Sequence, residues 1–231
     1  MFKKKKNKPF EIFLEEVFFV QPSDKCEYTN LKLDFDKEFK TTFPVTTRIL
    51  SKATQTGVKI NNVNYVLFSW LNIENKICGW LCDVDKEEIP NYLCNSHKIL
   101  SKNIGGIKET LNWPEDFETF TQNQNFLFIP KYCSQGMKDR VEFYLEVCEE
   151  EKCTPIKTND LIAFVEEANG DIIVYNSNEE VMLFAHDESY DTSEPIDGQP
   201  EGTFYKFNNA KNFIEFVEET SSQWERWIKS S

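Results

Sequence analysis

Apolar positions in residues 43–84 fall in β-branched and aromatic runs, and "VTTRILS", "GVKINNVNYVLFSWL" and "KICGWLCDV" each read as strand. "NNVN" lies between two such runs as a hairpin turn would, so three or four antiparallel strands are expected here. From Lys86 the period changes. Ile89, Leu93, His97, Leu100 and Ile104 step by three and four, and Pro90 suits a first helical turn. The spacing predicts an amphipathic helix that Gly105 stops, with Gly106 letting the chain turn back. Beyond "LNWPEDFETF", a polar connection that contains Pro114, "NQNFLFIP" reads as a short strand. Residues 138–151 place Val141, Leu145 and Cys148 on one helical face.

In "LIAFVEEANGDIIVYN" the pair Asn169 and Gly170 lies between β-rich runs, a hairpin signal, although "DLIAFVEEANG" also fits a helix capped by the same glycine. "VMLFAH" and "TFYKFN" add two strands. The last segment sets Phe213, Phe216, Val217, Thr220, Trp224, Trp227 and Ile228 on one stripe, which predicts a C-terminal helix packed on the sheet. The class expected is therefore α+β, with a mixed, largely antiparallel sheet flanked by helices. A basic flexible tail, 1–9, precedes a single domain, 10–231, in which 10–85 forms a β-rich N-terminal part and 86–231 the core. At 231 residues, 40% apolar and with 20 Phe, the chain can bury a substantial core without staples.

Charge changes the picture of function. The net charge is -13, and from Asp160 onward there are 16 acidic residues against 4 basic ones. Such a surface repels phosphate backbones and attracts basic proteins, so direct nucleic-acid binding is not expected. "MFKKKKNKPF" begins like a basic leader, but Glu15 and Glu16 interrupt what should be an unbroken apolar stretch. No apolar run approaches the roughly 20 residues of a membrane span. The expectation is a cytoplasmic chain that makes no membrane contact. Seven cysteines without a C-x-x-C pair argue against zinc knuckles and a disulfide framework, and read as reduced, structural thiols.

Candidate chemistry is sparse. Gly105 and Gly106 follow a helix instead of opening one, so they form no phosphate cradle. His97 lies on an apolar helix face and reads as a core histidine. His186 precedes Asp187 and Glu188 at a strand end, but no serine or cysteine sits in a nucleophile elbow, which leaves the hydrolase reading weak. The loop "DESYDTSEPIDGQPEG" holds six carboxylates, Asp187, Glu188, Asp191, Glu194, Asp197 and Glu201, without calcium-loop spacing. With Tyr190 beside them, these residues form the candidate partner-binding segment. No catalytic, cofactor or metal residue is assigned.

Taken in order, "EEIPNYLCNSHKILSKNIGGIKETLNWPED", "NQNFLF", "LIAFVEEANGDIIVYN", "VMLFAHDESY", "PEGTFYKF" and "FIEFVEETSSQW" resemble bacterial members of the SUKH superfamily, whose relatives include yeast cell-wall synthesis regulators. The likeness covers roughly residues 87–228. It implies an α+β fold and the role of an immunity protein that neutralises a toxin, often a nuclease or deaminase. A basic toxin cleft would match the acidic balance. The chain departs from the family pattern at His186, Asp187 and Glu188, so no role carries over to that histidine. The alternatives are a hydrolase or metal-dependent enzyme using His186 and Asp187, and a regulatory scaffold that binds host proteins.

Overall fold

The computed structural model describes residues 8–17, 20–84, 89–113, 119–121, 124–137, 140–185 and 192–229. Pro114, His186, Asp187, Glu188, Tyr190, Asp191 and most of the lysine-rich tail lie outside them. Among the described residues the chain runs α1 (Lys8–Glu16), β1 (Cys26–Asn30), α2 (Lys37–Thr42), α3 (Pro44–Lys52), β2 (Thr54–Ile60), β3 (Val63–Leu71), β4 (Ile77–Asp83), α4 (Asn95–Ile104), β5 (Gly106–Leu111) and β6 (Gln124–Leu127). It continues with β7 (Ser134–Gln135), α5 (Arg140–Glu151), β8 (Ile162–Glu167), β9 (Ile172–Tyr175), β10 (Val181–Phe184), β11 (Ser193–Pro195), β12 (Phe204–Phe207) and α6 (Phe213–Trp227).

One antiparallel sheet carries all of these strands in the order β1-β2-β3-β4-β5-β6-β8-β9-β10-β12-β11, with β7 paired to β8. The fold is α+β with a C-terminal amphipathic helix, and the expected hairpins stand. β2 and β3 turn at Asn61 and Asn62, and β8 and β9 turn through Asn169 and Gly170. Asn169 Oδ1 accepts the Asp171 N–H at 3.1 Å and Gly170 holds φ 98, which settles the hairpin over the helix.

Strand alternation sorts side chains into layers. Val66, Phe68, Trp70, Cys78, Trp80, Cys82, Phe164, Tyr175 and Leu183 face a core covered by α2, α3, α4 and α6. On the other face, Val58, Ile60, Leu67 and Leu81 meet Phe10 and Phe13 of α1. The distal half of that second face, with Ala163, Ile172, Val174, Met182, Phe184 and Phe204, is closed by Tyr144 and Cys148 of α5. All seven cysteines are free thiols, and burial pushes Cys78 up to about 12.

Three expectations need correction. "VTTRILS" is helix α3, not strand: Pro44 opens it, and the Glu218 carboxylate of α6 accepts the Val45 and Thr46 N–H groups at 2.8 and 3.0 Å. The N-terminal part is accordingly not simply β-rich, because α1, α2 and α3 lie within it. Helix α4 starts at Asn95, later than expected; Pro90 belongs to a turn whose carbonyl accepts the Leu93 N–H at 3.2 Å. On α5 the buried residues are Tyr144 and Cys148, and Leu145 faces solvent.

Gly105 ends α4 as expected, with φ 68. A Cβ there would lie 1.6 Å from the Asp83 carbonyl oxygen, and one on Gly106 would lie 2.5 Å from Ile129 N. The glycine pair is a close-packing device that seats the start of β5 against β4 and the chain after β6.

Candidate protein-binding face

The acidic segment and α5 meet on one face of the sheet. Tyr144 is fully buried, packs edge-on against Phe204 at 5.0 Å, and accepts the Ile156 N–H on its hydroxyl at 2.6 Å. The same hydroxyl donates to Gln199 Oε1, while Gln199 Nε2 donates to the Thr154 carbonyl at 3.1 Å. Burial raises the Tyr144 pKa, so the phenol stays a neutral donor. At the other end of the helix, Arg140 Nε donates to the Gly170 carbonyl at 2.6 Å, so the Asn169-Gly170 turn helps to position α5.

Glu194, Asp197 and Glu201, all exposed, belong to the segment whose Ile196 and Gln199 reach the α5 core. Phe204 packs on the α5 side of β12, and Lys206, two residues on, shares that side. Its ammonium reaches Glu194 at 3.6 Å across the β11–β12 pair, which brings Glu194 to the α5 side as well. Of the segment expected to bind a partner, Glu194 is placed on this face and Asp197 and Glu201 are exposed close to it in sequence; the other four residues lie outside the described residues.

The sequence reading missed α5 as part of this face. Its exposed residues include Glu142, Glu146, Glu149, Glu150 and Glu151. At 3.6 residues per turn the first four form a ridge, flanked by Phe143 on one side and Leu145 on the other. Those two apolar side chains are 45% and 43% exposed. The last turn holds no basic residue, so Glu149, Glu150 and Glu151 crowd the negative end of the helix dipole. Glu142 with Glu146, and Glu146 with Glu150, add like-charge pairs at i,i+4. The signal was legible in "VEFYLEVCEEE", where acidic residues gather at a helix C-terminus that would favour cations.

His97 does other work. It is fully buried, stacked on Phe213 at 4.6 Å, with Nε2 2.8 Å from the Phe128 carbonyl and Nδ1 3.4 Å from the Tyr175 hydroxyl. A carbonyl only accepts, so Nε2 carries the proton and Nδ1 is left to accept from Tyr175. Burial pulls its pKa down to about 4, which keeps it neutral and structural. A cleft of about 550 Å³ lies by Gly105, where Lys131 Nζ closes on the buried Asp83 carboxylate at 2.9 Å. Among the described residues, no group of three or more His, Cys, Asp and Glu could hold a metal ion, and no helix is long and apolar enough to cross a membrane.

No family model, curated protein or solved structure matches the chain. The face is therefore characterised by its own geometry: an acidic ridge with two apolar flanks, braced by a buried tyrosine, and adjoining a second acidic segment.

Proposed function

We propose that this chain is a non-catalytic binding protein, an immunity protein of the SUKH kind that occludes the basic cleft of a toxin domain such as a nuclease or deaminase. The observation that carries this reading is the composition of α5. The helix keeps five glutamates, none balanced by a base in its last turn, and exposes Phe143 and Leu145 on the two flanks of their ridge. Each feature disfavours the isolated helix or costs solubility, and each suits a surface that meets a cationic partner with an apolar anchor. Glu194, Asp197 and Glu201 extend the same field. The resemblance of the six sequence blocks supplies the toxin class.

The test is co-expression with a nuclease or deaminase toxin domain, should the neighbouring open reading frame encode one; a neighbour without a toxin domain would count against the reading. The wild-type chain is expected to restore growth, and Glu142→Lys/Glu146→Lys/Glu150→Lys to fail while keeping its circular dichroism spectrum. Rescue by the triple variant equal to wild type would remove α5 from the interface.

A further inference from the structure

A second site lies where β3 turns into β4, in the half of the sheet away from β11 and β12. The start of α1, the end of α3 and residues 228–229 close around a cleft of about 520 Å³. This is the size of a small-molecule site, which spans about 300–1,000 Å³. Lys8, Lys52 and Lys229 line it, with no carboxylate among the described lining residues, in a chain where acidic residues outnumber basic ones by 39 to 26. Trp70, Leu71, Ile77 and Ile228 make an apolar floor.

The cleft is built by the fold. Lys229 N donates to the Leu71 carbonyl at 2.8 Å and Ile73 N to the Trp227 carbonyl at 3.0 Å, which zips the chain beyond α6 to the β3–β4 turn. Lys229 Nζ reaches the neutral Asn75 Oδ1 at 2.6 Å. Lys52 reaches Glu225 at 3.3 Å, but Arg48 already holds that carboxylate with two bonds of 2.8 and 2.6 Å. Leu71, part of the apolar lining, is 50% exposed. Three lysines lining one apolar cleft raise the local positive potential, which an anion would neutralise.

We propose that this cleft binds an amphipathic anion, its alkyl chain on Trp70, Leu71, Ile77 and Ile228 and its head group among Lys8, Lys52 and Lys229. The proposal is independent of the acidic face, because the two sites share no residue. The same chemistry is offered by a free fatty acid and by an anionic phospholipid in a bilayer, and the experiment separates them.

Dodecanoate, kept below its micelle threshold, is titrated calorimetrically into the full chain at low salt, with dodecan-1-ol as the neutral control. One dodecanoate is expected to bind saturably per chain, with the alcohol at least about tenfold weaker. Lys8→Gln and Lys229→Gln should each weaken binding by about tenfold, and Lys8→Glu/Lys229→Glu by about a hundredfold or more, at unchanged Tm. In a second arm, the chain is sedimented with phosphatidylglycerol or phosphatidylcholine vesicles. Capture by the anionic vesicles alone, lost in the double variant, identifies a bilayer as the source; binding of the free acid without vesicle capture identifies a soluble amphiphile. Equal affinity for acid and alcohol, lysine variants that bind like wild type, or no binding in either arm overturns the proposal.

Discussion

A methyl group is all that Gly105 excludes, yet its place in the fold turns on that exclusion. With φ 68 and the Asp83 carbonyl 1.6 Å from where a Cβ would be, Gly105→Ala combines backbone strain with a clash against sheet backbone that cannot swing aside. A loss of at least about 3 kcal/mol is expected in urea denaturation. His97 is the residue through which pH acts on the core. Its pKa falls from 6.5 to about 4 on folding, so the unfolded chain takes up the proton first as pH drops. Stability from this residue is fully present above about pH 6.5 and lost progressively towards pH 4, by about 3 kcal/mol in all. His97→Gln should be less stable at pH 7 but flatten the slope between pH 6.5 and 4, measured as urea midpoints. At this scale the sequence was informative: a glycine after a periodic run and a histidine on an apolar face both have one dominant physical meaning. What each residue packs against was not legible, because Asp83, Ile129 and Phe128 are brought there by strand pairing.

At the scale of elements, α3 and α5 show where local pattern loses to context. "VTTRILS" has β-branched residues that read as strand, but propensity differences are a few tenths of a kcal/mol per residue. The Glu218 carboxylate, 172 residues away, accepts the Val45 and Thr46 N–H groups and Thr46 Oγ1, and so caps the helix from outside. Glu218→Ala is expected to cost about 1–2 kcal/mol, read from chemical denaturation. Helix α5 is the converse case, ending at residue 151 as expected but with a misjudged face, because Tyr144 takes the inward position and leaves Leu145 to solvent. Its acidic C-terminus is intrinsically unfavourable. Glu150→Lys should therefore raise stability by about 0.5 kcal/mol while weakening the cationic partner, a divergence that a purely structural helix would not produce.

For the whole molecule, the sheet separates two surfaces of opposite charge across its width. One half carries the acidic ridge of α5 with Glu194, Asp197 and Glu201, and the other carries the lysine-lined cleft at the β3–β4 turn. A chain of net charge -13 with opposed local fields should orient its partners as well as attract them. Stopped-flow association with a basic toxin domain is expected to slow at least tenfold between about 0.02 and 0.5 M salt, with much less change in dissociation. A rate indifferent to salt would mean that Phe143 and Leu145, and not the glutamates, govern the encounter.

The sequence by itself determined the class of fold, the β2–β3 hairpin, the C-terminal helix, the helix stop at Gly105 and the placing of negative charge in the last third. These follow from period, turn chemistry and composition, which act over a few residues or sum over all of them. Tertiary structure alone decided that α5 joins the acidic segment. The link is Tyr144, which reaches Ile156 and Gln199 across a shared core and has no signature in local spacing. It likewise decided that Lys8, Lys52 and Lys229, far apart in the chain, line one cleft, because antiparallel pairing and the return of α6 bring residues 228–229 against the β3–β4 turn.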